Sequence, residues 1–142
     1  MSFLSIFRKF AFFNGRSTDG LRDEDLDFQK WINAHRAWRQ RLVALLEGNS
    51  KEQLDEQAVC RDDRCELGHW IHGNGQRFYG DESAFQRLTN DHAAFHRAAG
   101  EVVSLHRQQD ERQARRVLNG EFDLCSVRVI SGLEALEQRV KS

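Results

Sequence analysis

The chain has 142 residues and a mass of 16.5 kDa, enough for one domain. Its 21 basic and 22 acidic side chains nearly cancel, so it lacks the basic excess of a general nucleic-acid binder. It has no proline and no stretch of about 20 apolar residues, and 39% of it is apolar, with ten Phe and three Trp; these features exclude collagen-like, membrane-spanning and disordered chains and favour helices around a core.

Residues 1–20 form a Phe-rich segment and a linker. Phe3, Ile6, Phe7, Phe10 and Phe13 recur at helical spacing, with Arg8 and Lys9 on the other side. An amphipathic helix covering the end of the bundle or a dimer seam is favoured over membrane contact by residues 3–13, because only two basic residues support lipid binding. Asn14 to Gly20 is turn-rich. No secretory signal pattern is present. The odd, unevenly spaced Cys60, Cys65 and Cys125 fit a reducing compartment, so the expected location is cytoplasmic.

A long helix is expected from about Arg22 to Glu47. Phe28, Trp31, His35, Trp38, Leu42 and Leu45 step by three and four along one face, and Gly48 and Asn49 end it. His35 thus falls inside an apolar stripe. Ser50 is expected to cap a short helix from Lys51 to about Ala58. Cys65 opens the next element, CELGHWIHGNGQRF, whose Gly73 and Gly75 end or distort a helix. A fourth segment, Asp81 to His106, carries Phe85, Leu88, His92, Phe95, Ala99 and Val102 at core spacing, with His96 one turn beyond His92. A last helix begins at Asp110 or Glu121 and runs to Val140 on a stripe of Leu118, Phe122, Cys125, Val129, Leu133, Leu136 and Val140. The fold class is therefore all-α, an antiparallel four-helix-bundle-like domain with an extra short N-terminal amphipathic helix.

Histidine at a core position must have its nitrogens satisfied. His92 and His96 stand at i and i+4, so both rings leave the same side of one helix, as two ligands of one metal ion do. With His35 and Cys65 they make a set of three nitrogens and one sulfur, which suits Zn2+ in a closed tetrahedral site. Magnesium or calcium would demand carboxylates.

The stretches HRAWR, CELGHWIHGNG and FQRLTNDHAAFHRAA together resemble the CZB, or chemoreceptor zinc-binding, domain of bacteria. The residues that carry the resemblance are His35 and Trp38; Cys65, Leu67, Gly68 and Trp70; and His92, Phe95 and His96. The likeness extends the domain to residues 21–142. It implies a helical bundle with a buried zinc on His35, Cys65, His92 and His96. It also implies a signalling role in sensing zinc or hypochlorous acid, the latter by oxidation of the bound cysteine. Homodimerisation and control of a chemoreceptor or diguanylate cyclase partner are further implications. The chain departs from the family pattern in carrying no methyl-accepting helices and no cyclase motif.

Alternative readings are weaker. A metalloprotease would place Glu after the first histidine of its helix, where this chain has Ala93. A di-iron bundle would need Glu three residues before His35, His92 or His96, and none is there. A purely structural zinc domain mediating assembly is the main alternative to a sensor. His69 and His72 are read as a solvated face, His106 as a surface residue, Cys60 as a loop thiol and Cys125 as core.

Overall fold

The computed structural model describes residues 26–141; the Phe-rich segment and the first residues of the expected long helix lie outside them. Helix α1 covers Phe28–Leu46, and short helices follow at α2 (Glu56–Val59), α3 (Glu66–Trp70) and α4 (Gln76–Tyr79). Helices α5 (Ser83–Arg107), α6 (Glu111–Val117) and α7 (Asp123–Lys141) complete the described chain. Between α3 and α4 the chain kinks at Gly73, whose φ −115° and ψ −113° are not helical, and one wide turn of π geometry, Leu118–Phe122, joins α6 to α7.

Local chemistry accounts for the ends. Asp27 caps α1 by accepting the Lys30 N–H at 3.0 Å, and Gly48 leaves the helix at φ +76°. The short helix expected from Lys51 starts only at Glu56. Ser50 Oγ is occupied in a local turn, accepting the Glu52 N–H at 3.1 Å, and Asp55 provides the cap instead.

The expected all-α bundle is present, and its long members run as follows. Gln29 bonds Glu137 and Arg39 bonds Asp123, so α1 is antiparallel to α7. Glu82 pairs with Arg139, and Phe95 packs against Phe122 with tilted rings 4.9 Å apart, so α5 is antiparallel to the α6–α7 rod. Helices α1 and α5 are consequently parallel, and the long connection between them carries α2 to α4 as the fourth side. Phe28, Leu42, Phe85, Leu88, Phe95, Phe122, Val129 and Leu133 are fully buried between them. The stripe anticipated for α5 is buried, and that for α7 is buried except for half-buried Val140, while in α1 Ile32 and Leu46 are buried and Trp38 and Leu45 are half-buried. Each fully buried Leu or Phe contributes about 1.5–3 kcal/mol.

Two glycines bring the fourth side close. A Cβ at Gly68 would sit 1.8 Å from the Asp62 carbonyl oxygen, and one at Gly100 would sit 2.7 Å from Cys60 Cβ. The first glycine lets the 62–63 backbone lie on α3. The second lets the end of α2 press onto α5. Both approaches deliver backbone to the cluster described next.

Candidate metal centre

Four side chains from three parts of the fold converge on one point. His35 projects from the middle of α1, His92 and His96 from successive turns of α5, and Cys65 from the N-cap of α3. One donor atom from each lies within 4.8 Å of every other. His35 Nε2 is 3.1 Å from His92 Nε2, and Cys65 Sγ is 3.3, 3.7 and 3.9 Å from the Nε2 atoms of His92, His96 and His35. A tetrahedron built on Zn–N and Zn–S bonds of ordinary length has N–N edges of about 3.3 Å and N–S edges of about 3.6 Å. The donor spacing fits such a tetrahedron.

The rings are aimed by their other nitrogens. His35 Nδ1 donates to the Trp31 carbonyl at 2.7 Å, and His96 Nδ1 donates to the Val59 carbonyl at 3.0 Å. Each bond places the ring proton on Nδ1 and leaves the Nε2 lone pair facing the cluster. His92 Nδ1 is buried with no partner. Cys65 Sγ accepts the Gly68 N–H at 3.4 Å, which ties the sulfur to the turn that Gly68 makes possible.

Burial sets the charge of the group. It pulls His35 down to about 4 and His92 to about 2, and His96 is lowered for the same reason. Mutual repulsion among the imidazoles adds to the effect for His35 and His92. Burial also pushes the Cys65 thiol up to about 11, against the lowering influence of the Gly68 and Leu67 N–H groups. Near neutral pH the donors are three neutral imidazoles and a thiol, with lone pairs crowded together and a buried nitrogen unpaired. A soft cation resolves that crowding; no carboxylate belongs to the set, which disfavours a hard one.

Among the described residues no other group of three or more His, Cys, Asp or Glu is arranged to hold a metal. His72 instead meets Asp62 at 3.1 Å on the surface, and His106 meets Glu111 at 2.6 Å at the α5–α6 turn. Cys60 is exposed and Cys125 is buried in the core. Trp38 stands edge-on to His96 with centroids 6.4 Å apart. Trp70 packs with Phe28, Trp31, Tyr79 and Phe85. The Trp31 and Val59 carbonyls were not anticipated from sequence, because a backbone acceptor has no residue-type signature.

A helical bundle with three inward imidazoles and one thiol around a single point defines a zinc-binding domain. Residues 35–103 match the family model for CZB, the chemoreceptor zinc-binding domain, and the matched span contains all four donors. That is a zinc-binding signalling class and not a catalytic one. No curated protein and no solved structure matches the chain. No helix among the described residues is long and apolar enough to cross a membrane.

Proposed function

We propose that the chain is a zinc-dependent sensory and regulatory module in which His35, Cys65, His92 and His96 are the four ligands. The observation that carries this reading is the convergence of four donors from α1, the α3 cap and α5 at tetrahedral spacing. Bound zinc would hold Cys65 as a thiolate and link the three elements. His35 and His96 keep their Nε2 atoms deprotonated through the Trp31 and Val59 carbonyls. The Cys65 segment is short and capped by its own sulfur, so loss of that one ligand would loosen the N-terminal turn of α3 while three histidines retain α1 and α5.

In this reading the signal is zinc itself or an oxidant such as hypochlorous acid that converts Cys65 to a sulfenic acid. The output is a change in helix packing read by a partner, either a second copy of the chain or a chemoreceptor or diguanylate cyclase. Exposed apolar Leu124 and Val127 on α7 are available for such a contact. The test is zinc removal by chelation. A sensor retains a folded helical form with altered local exchange around residues 60–75, whereas a purely structural zinc domain unfolds.

A further inference from the structure

A cleft of about 580 Å³ opens beside the cluster, between α1 and the stretch from Glu52 to Cys65. Cys65 and His96 line its inner end, so the metal centre is reached from this side. One wall is apolar, made by Trp38, Leu54 and Val59. The rim carries three arginines in different states. Arg41 stacks 3.8 Å over the Trp38 ring and is bonded to both Glu52 oxygens, and Arg61 is bonded to both Asp63 oxygens. Arg64 is exposed and, among the described residues, has no hydrogen-bond or ion-pair partner.

We propose that this cleft is a binding site for a small organic anion, which lays its apolar body on Trp38, sets its charge against Arg64 and so reaches Cys65 Sγ. The inference rests on the zinc-thiolate reading above and adds the class of molecule that gains access to it. The acids on the rim do not cancel the preference. Glu52 is neutralised by Arg41, and Asp55 is turned to the α2 cap and lies 4.0 Å from Arg107. Arg64 is left as the cation without an internal counter-ion at the mouth, adjacent in sequence to the reactive sulfur. An unpaired guanidinium beside an apolar wall selects carboxylates and similar oxyanions over neutral molecules of the same shape.

Iodoacetate and iodoacetamide form a matched probe pair that differs in charge. In either reaction the Cys65 sulfur lone pair forms an S–C bond as the C–I bond breaks and iodide leaves with its electrons, converting the thiolate into a thioether. Zinc content is measured first on the full chain, and alkylation is then followed at Cys65 and Cys60 separately by peptide mass spectrometry. The iodoacetate-to-iodoacetamide rate ratio at Cys65 should fall about threefold or more in Arg64→Gln, while the ratio at Cys60 changes less. Ala37→Trp, at an exposed helix position on the cleft wall, should slow both reagents at Cys65 by about tenfold without slowing them at Cys60. An unchanged ratio at Cys65 in Arg64→Gln, or undiminished rates in Ala37→Trp, overturns the proposal while the zinc reading stands. Absence of zinc from the starting protein overturns the zinc reading itself.

Discussion

His35 Nε2 and His92 Nε2 lie 3.1 Å apart across the seam between two parallel helices. Because His35 donates from Nδ1 to Trp31, its Nε2 carries a lone pair directed at His92, whose own Nδ1 has no partner. A fold that buries two such nitrogens face to face leaves desolvated polar atoms to be satisfied, which costs about 1–3 kcal/mol for each one unmet. Several consequences of that arrangement can be measured.

Metal affinity should depend on pH through a single proton. Between about pH 6 and 8 the folded histidines are already neutral, with His35 near 4 and His92 near 2, while Cys65 keeps its proton up to about 11. Zinc uptake therefore releases one proton, and affinity should rise about tenfold per pH unit across this range. Chelator competition at several pH values gives the slope. A slope near zero would mean that the thiol is not a ligand or is already ionised.

The metal-free protein should lose stability on both sides of neutrality. Histidines with lowered folded pKa values bind protons more readily when unfolded, so stability falls as pH drops below about 6.5, by about 1.4 kcal/mol per unit for each such histidine. For His35 the loss levels off near 4, its folded value. The raised Cys65 pKa acts oppositely: its contribution is present below about 9 and is lost as pH rises toward 11. Urea midpoints of the metal-free chain across pH would show a plateau between these limits. A midpoint that rises steadily on acidification contradicts neutral burial of the imidazoles.

Replacing Gly68 by Ala should be far more damaging than the loss of a glycine elsewhere in a helix. The new Cβ would meet the Asp62 carbonyl oxygen at 1.8 Å, and backbone must move. A loss of about 1–3 kcal/mol is expected, with weaker zinc binding because Cys65 caps the same turn. Gly120→Ala, with open space around the Cβ, is the control and should be nearly neutral or stabilising. Equal effects at the two positions would remove the packing argument.

Arg39 provides a tie between α1 and the wide turn before α7. It donates to the Leu118 carbonyl at 3.5 Å, Asn119 Oδ1 at 2.9 Å and Asp123 Oδ1 at 3.0 Å. Arg39→Ala should cost about 1 kcal/mol, since the group is half-exposed, and should speed amide exchange at residues 118–123 more than in α5. Uniform exchange rates in the variant would show that the tie holds nothing local.

If the proposed oxidant response operates, Cys65 is the first thiol modified by a sub-stoichiometric pulse of hypochlorous acid, ahead of exposed Cys60 and buried Cys125. Mass spectrometry locates the product. Earlier modification of Cys60 or Cys125 with zinc retained leaves zinc sensing alone. Light scattering over micromolar concentrations tests the proposed homodimer, and a monomer throughout would reject it.

Much of this site was legible because histidine is conspicuous on an apolar stripe. His35 and His92 stood out where leucine would be ordinary, and the i, i+4 spacing added His96. Cys65 was found through the motif it opens, and Gly68 through the same motif, although its steric reason required the Asp62 backbone. The short α2 was misplaced because Ser50 and Asp55 compete for the cap, and only their distances show which one wins. The wide turn at Leu118–Phe122 left no trace in the stripe, since Leu118, Phe122 and Cys125 remain at helical steps. The cleft and the unpaired Arg64 arise from long-range packing, which no local pattern encodes.

X-ray absorption at the zinc edge, on protein purified without added metal, tests the central claim most directly. The expected result is one zinc per chain with one sulfur neighbour at about 2.3 Å and three nitrogens at about 2.0–2.1 Å. The sulfur should disappear in Cys65→Ser, and the metal should be lost in the His92→Ala, His96→Ala double variant, whereas Glu66→Gln and His69→Ala should retain it. Zinc surrounded only by nitrogen and oxygen in the unaltered chain, or zinc undiminished in the double variant, would contradict the assignment of His35, Cys65, His92 and His96 as its ligands.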